Sequence, residues 1–242
     1  RALRQLADPA LARNRFGLIG FSLSRYSGLW VGLKTVADTI ECTGPIAAPG
    51  SAFHCSIPND FELPPGGLNA RWPDERWDQD HRLLNYRLPA ARAFARANQL
   101  DRIAYGRAGG PMTIVTSGKA YTDVRQALDE LGIDEDAANA LGLAIYKVGM
   151  VWPLETERMS EALEGVEEVV VVEERRAVIE PQLKEIAYNW PAGWRPNIVG
   201  KRDETMRVLL PEAGELSPEI VARAIGARLE RLGFSLHNEH RL

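Results

Sequence analysis

The stretch Met112–Ile133, "MTIVTSGKAYTDVRQALDELGI", joins a short apolar run to an amphipathic segment through a Thr-Ser-Gly-Lys junction. The first part has the composition of a buried strand, and the second has the periodicity of a helix that stops at Gly132. A chain that leaves a strand at Thr116-Ser117-Gly118-Lys119 and restarts at once as a helix does one of two things. It grips an anion through the helix N-terminus and the Lys119 cation, or it is a tight βα turn that braces one domain on another.

The same alternation continues downstream. "LGLAIYKVGMVWPL" reads as a strand meeting a proline, "ETERMSEALEGV" as a helix and "EEVVVVEE" as a central strand. "AVIEPQLKEIAYNW" reads as a helix and "PNIVGK" as a last short strand. Strands separated by about ten to fifteen residues of helix predict a mostly parallel sheet of four or five strands, covered on both faces. The expected fold is therefore a three-layer α/β/α sandwich from about residue 111 to 200. The tail "ELSPEIVARAIGARLERLGF" predicts a further amphipathic helix, with Ser217 as N-cap and Pro218 at the first helical position.

Upstream the pattern is looser. Phe16, Ile19, Leu23 and Tyr26 fall at helical spacing and Gly28 is a plausible stop. The β-branched stretch from Val31 to Ala48 reads as one or two strands, or as a helical end running into a strand. Residues 58–89 carry five prolines and a Gly-Gly pair with little periodicity, so a long extended connector is expected. Its aromatics argue against a disordered tether and predict a segment pinned to a domain surface by Trp72 and Trp77. Ala90–Ile103 is alanine-rich and amphipathic, and a helix is expected there.

Composition excludes several classes. The 29 basic and 33 acidic residues give a formal charge of -4 in a chain of 242 residues, without the basic footprint of a nucleic-acid binder. The longest apolar run is far short of the roughly 20 residues of a membrane span, and no signal segment opens the chain. These features predict a cytoplasmic protein with neither nucleic acid nor membrane as partner. Two cysteines, Cys42 and Cys55, without C-x-x-C spacing cannot hold a four-cysteine cluster. The opening at Arg1, with an amphipathic stretch and no preceding strand, suggests a piece of something longer.

Four places could carry chemistry. The Thr116-Ser117-Gly118-Lys119 turn lies at the carboxyl end of a strand, where open α/β sheets place ligands, but lacks the spacing of a P-loop or a dinucleotide fingerprint. A structural turn or interdomain contact is the better reading. As a surface residue Lys119 should then be replaceable by alanine within about 0.5 kcal/mol. Glu173 and Glu174, before Arg175 and Arg176, end the valine strand at the same edge. Adjacent carboxylates can tune one another for acid–base work, but consecutive strand residues point to opposite sides, which favours a salt-bridge cluster. His237 and His240 have a metal-capable spacing without a third ligand. His54 beside Cys55 has no orienting acid.

The segments "SRYSGLWVGLKTVADTIE", "DFELPPGGLNARWPD", "IVTSGKAYTDVRQALDELGID", "YKVGMVWPLE" and "VVVVEERRAVIEPQLKEIAYNWP" together resemble the long-chain indolepyruvate ferredoxin oxidoreductases, from about Arg15 to the C-terminal helix. These belong to the thiamine-diphosphate-dependent 2-oxoacid:ferredoxin oxidoreductases. The resemblance implies that residues 1–57 are the end of a pyrimidine-binding domain and 58–110 a linker and helix. It further implies that 111–205 are a transketolase-C-terminal-like domain and 206–242 a helical connector to the next domain. Thiamine diphosphate, magnesium and a 4Fe-4S cluster are implied for the full-length enzyme, with ferredoxin, coenzyme A and a 2-oxoacid as partners and a homodimer as assembly. The G-D-G…N signature and the cysteine cluster of the family are absent, so no catalytic, cofactor or metal residue carries over. Thr116, Ser117, Gly118, Lys119, Glu173 and Glu174 are left as an anion or interdomain contact. A stand-alone assembly module for a separate subunit, or a small-anion-binding domain, are the alternative readings.

Overall fold

The computed structural model describes residues 9–37, 54–69, 71, 72 and 74–234. The expectations for Cys42, His237 and His240 lie outside the described residues, as does most of the stretch from Val31 to Ala48. Within that stretch residues 31–36 carry no regular structure. The chain divides into two compact units, Arg1–Gln99 and Leu100–Leu242.

In the first unit, helix α1 spans Pro9–Ser27 and buries Ile19, Leu23 and Ser27 along one face. Gly28 ends it with φ +73, its N–H donating to Ser24 O at 2.9 Å. A Cβ there would meet Leu68 O at 2.7 Å, so glycine is required by both conformation and space. The Tyr26 ring lies 5.8 Å from that of Phe94 on a second helical run. That run starts earlier than the sequence suggests. Helix α2, Arg76–Arg82, passes through a π-type turn at Leu83–Arg87 into helix α3, Leu88–Ala97. Pro89 cannot donate to the preceding turn and its ring crowds that turn's carbonyl, and the widened turn accommodates it.

The connector before α2 is irregular, and its indoles do not hold it. Trp72 and Trp77 are 95% and 68% exposed. The holding contacts are polar. Arg82 donates to Gly67 O at 2.8 Å and Arg87 to Leu68 O at 2.6 Å, and Arg96 pairs with Asp60 at 2.7 Å. Asn98 accepts from Ser56 N–H at 2.8 Å and donates to Ser56 O at 2.9 Å. Chain without a ladder has peptide groups to satisfy, and long side chains of the helical run supply the donors.

The second unit is the expected three-layer sandwich, enlarged at one edge. Its strands are β1 Arg102–Tyr105, β2 Met112–Ser117, β3 Leu143–Val148, β4 Glu168–Val172 and β5 Asn197–Val199. They form one sheet in the order β1-β3-β2-β4-β5. Central β2 pairs in parallel with β3 (Met112 opposite Leu143) and with β4 (Met112 opposite Glu168), and β5 extends the parallel set. Strand β1 runs antiparallel to β3, with Arg102 opposite Lys147. The helix expected through Ile103 therefore ends at Ala97. Gln99 adopts φ +50 and the chain turns into the sheet.

Helices α4 Gly118–Glu130 and α8 Pro218–Arg231 cover one face, burying Val124, Leu128, Val221, Ile225 and Leu229 against Ile114, Val170 and Val172. Helices α6 Thr156–Ala162 and α7 Ile179–Tyr188 cover the other, with Met159, Leu163, Ile179 and Leu183 against Val115, Val169 and Val171. A strand covered on both faces needs no polar side, which accounts for the unbroken valines of β4. Helix α5, Glu135–Leu141, was not expected from the sequence. Asp134 caps it by accepting from Ala137 N–H at 2.8 Å, and Gly142 closes it in the left-handed region.

The tail helix begins as read, Ser217 Oγ accepting from Ile220 N–H and Pro218 following. Rather than leading away as a connector, α8 is part of this core. Polar contacts at the amino edge of the sheet hold it there. Glu168, the first residue of β4 and fully buried, accepts from both Nε and Nη2 of Arg228, the latter at 2.7 Å. It also accepts from Arg231 at 2.8 Å and from Asn197 at 3.2 Å. Glu204 closes the array at 3.0 Å from each arginine.

Candidate functional site

The expected site residues meet at the carboxyl edge of the sheet, where β2 and β4 end side by side. Ser117 precedes α4 in extended conformation without a side-chain cap bond, and Gly118 turns the chain with φ +55, a conformation costly for any residue with a Cβ. Thr116 is buried, while Thr122 Oγ donates to Lys119 O at 2.6 Å.

The Lys119 ammonium is not poised for an external anion. It lies 3.1 Å from Asp123, 3.2 Å from Glu174 and 3.3 Å from Glu215, and donates to Leu216 O at 3.0 Å. Glu174 in turn accepts from Leu216 N–H at 3.3 Å. One cation thus ties α4, the end of β4 and the segment leading to α8. Burial works against its charge, but hydrogen bonds to Asp123 and Glu174 outweigh that and raise its pKa. Asp123 is pushed upward, since burial of its carboxyl exceeds the opposing effect of Lys119. Three carboxylates around one ammonium leave a local excess of negative charge, unsuited to a phosphate.

Glu173 and Glu174 diverge, as alternation along an extended chain requires. Glu173 turns to the N-terminus of α7 and accepts from Val178 and Ile179 N–H at 2.9 Å each and from Glu180 N–H at 3.1 Å. Those are the amides a bound anion would use, so the helix end already holds its own carboxylate. Next to it the Lys201 ammonium donates to Glu173 O and, at 3.1 Å, to Pro211 O, while its N–H donates to Glu180 at 2.9 Å. Burial lowers the Lys201 pKa. A Cβ at Gly200 would stand 2.3 Å from the Glu180 carboxylate, which would then have to move off the Lys201 N–H.

Sequence reasoning found Lys119, Glu173 and Glu174 but not Asp123, Glu180, Lys201 or Glu215. Asp123 was accessible as an (i, i+4) partner of Lys119. The others come from segments far away in the chain. Lys119 is not a surface residue, since its side chain is only 14% exposed. Removing it strands Asp123 and Glu174, and a loss of about 1–3 kcal/mol is expected instead of 0.5. Urea unfolding of Lys119→Ala beside the parent sequence measures it; a loss under 0.5 kcal/mol would restore the surface reading.

His54 is exposed beside a half-buried Cys55, in irregular chain. Among the described residues no group of three or more His, Cys, Asp and Glu could hold a metal ion, and no helix is long and apolar enough to cross a membrane. The donors at the carboxyl edge are committed to Lys119 and to peptide N–H groups. They do not fit a magnesium–diphosphate group.

A mostly parallel five-stranded sheet between two helical layers, with internal ion pairs along its carboxyl edge, defines a domain of the α/β class. Residues 106–242, more than half of the chain, match the family described as Indolepyruvate ferredoxin oxidoreductase middle domain. The chain belongs to that family. It is similar to the indolepyruvate oxidoreductase subunit IorA of Methanothermobacter thermautotrophicus, 27% identical over 85% of this chain and 30% of that protein. It is also similar to the IorA of Methanothermobacter marburgensis, 33% identical over 54% of this chain and 19% of that one. A solved 2-oxoglutarate:ferredoxin oxidoreductase from Magnetococcus marinus aligns at 16% identity with a TM-score of 0.43, over 76% of this chain and 28% of its own. The chain thus spans less than a third of the length of these curated relatives.

Proposed function

We propose that these residues are the framework part of a 2-oxoacid:ferredoxin oxidoreductase that oxidatively decarboxylates indolepyruvate and related arylpyruvates to acyl-CoA and reduces ferredoxin. Thiamine diphosphate, magnesium and the iron–sulfur clusters would be held elsewhere in the parent polypeptide, which works as a homodimer. In this reading residues 1–57 close the pyrimidine-binding domain. The sheet, from β1 onward, is the transketolase-C-terminal-like domain, and its role is packing and assembly. The observation that carries the reading is the closed carboxyl edge, where Lys119 is engaged by Asp123, Glu174 and Glu215. Family membership supports the reaction class.

The test has two arms. The homodimeric parent polypeptide should reduce ferredoxin with indolepyruvate and coenzyme A. The 242-residue chain should give a flat calorimetric titration with thiamine diphosphate and magnesium, and should match the buffer blank with a dye acceptor. Micromolar cofactor binding by the short chain would sink the framework role, and a parent inert toward every 2-oxoacid would sink the reaction.

A further inference from the structure

At the carboxyl edge, next to the closed ion-pair site, the second unit presents an apolar ledge that its own fold does not use. Val151 and Trp152 follow β3, and Val178 stands just before α7; they are 42%, 62% and 45% exposed. One side chain holds the two loops together. Gln182 Nε2 donates to Val151 O at 2.9 Å and to Val178 O at 2.7 Å, while its Oε1 accepts from Leu154 N–H at 3.2 Å. The backbones of the two loops are therefore held to one another rather than forming two independent loop tips.

Arg175 and Arg176 lie in the Val178 loop, both exposed. Among the described residues neither guanidinium has an ion pair or hydrogen bond. The neighbouring carboxylates are spent, Glu173 on the α7 amides and Glu174 on Lys119. Arg175 also adopts φ +53, a left-handed conformation that a side chain with a Cβ takes at a cost. Glu173 ties the start of this turn to its end through the Val178 and Ile179 amides, which fixes the backbone that carries the two arginines.

We propose that Val151, Trp152 and Val178, with Arg175 and Arg176, dock an acidic, apolar-faced surface carried by another domain of the parent polypeptide. Tryptophan and arginine on a rigid support are the side chains that dominate protein interfaces. The two unpaired guanidiniums ask for carboxylates, which fixes the charge of the partner. That the partner belongs to the same polypeptide rests on the framework role above and on the length of the relatives, of which this chain covers less than a third.

Hydroxyl-radical footprinting of the intact parent, read by mass spectrometry at Trp152 and Val178 in native and urea-unfolded protein, tests it. Native protein should be modified several-fold less than unfolded protein at both residues, at any protein concentration. The double variant Arg175→Glu, Arg176→Glu should unmask Trp152, whereas Arg175→Lys, Arg176→Lys should keep it protected. Modification of native Trp152 near the unfolded level would overturn the docking surface. Protection that vanishes on dilution would assign the ledge to a second copy and overturn the occupant. Protection that survives charge reversal would overturn its acidic chemistry. None of these readouts depends on turnover, so a failure of the oxidoreductase reading shows separately in the ferredoxin assay.

Discussion

Replacing Glu168 with alanine is expected to destabilise the second unit by about 3–5 kcal/mol, the penalty for breaking a buried ion pair from one side. Glu168 is fully buried at the start of β4, and it neutralises Arg228 and reaches Arg231 on α8. Without it the buried Arg228 retains only Glu204, itself near the surface. The loss should fall on the seam between α8 and the sheet, where Val221, Ile225 and Leu229 complete the core. A paired replacement, Glu168→Met with Arg228→Met, removes both charges and keeps apolar volume. It should recover much of the loss, because the desolvation cost of the pair disappears with its attraction. Urea unfolding of both variants checks this. A Glu168→Ala loss below about 1 kcal/mol would mean that the array behaves as an ordinary surface pair.

Asp101→Asn should stabilise the chain at neutral pH, by an amount that grows with pH. Asp101 is 2% exposed and accepts from Gly149 N–H at 2.7 Å and Met150 N–H at 3.2 Å, tying the entry of β1 to the exit of β3. Among the described residues its second oxygen has no hydrogen-bond partner. Burial, only partly offset by those two amides, pushes its carboxyl from 3.8 to about 6. A carboxyl whose pKa is raised on folding carries its penalty in the ionised form. The penalty is absent below about pH 3.8, grows between there and about 6, and is complete above. It amounts to about 3 kcal/mol at pH 7. Asparagine retains an oxygen for the two amides and never ionises. The stability difference between variant and parent should therefore rise by about 2–2.5 kcal/mol from pH 4 to pH 7. Parallel stability curves across that range would show that Asp101 ionises as freely in the folded state as in the unfolded one.

Much of this architecture was legible in the chain because its signals are local. Strand β4 is a run of valines, α4 and α8 have periodic apolar faces, and Ser217-Pro218 marks a helix start within two residues. The strand–helix alternation of residues 112–199 then implies a parallel sheet, since short connections between buried strands leave few other topologies. The divergence of Glu173 and Glu174 was also readable, being a property of extended backbone.

What only the tertiary structure decided are the pairings between distant residues. Edge strand β1 has four residues, and nothing in them outweighs the preceding helical pattern until β3 supplies a ladder. Glu168 and Arg228 are 60 residues apart, and Lys119 and Leu216 are 97 apart. No local pattern in the chain encodes either contact. The Thr116–Lys119 junction has the residue types of an anion grip, and its sequence alone allows that role. Its electrostatics changed when folding brought Glu174 and Glu215 beside the same ammonium. A charge in a low-dielectric setting is defined by the groups within a few ångströms, and these come from whichever segments the fold assembles there.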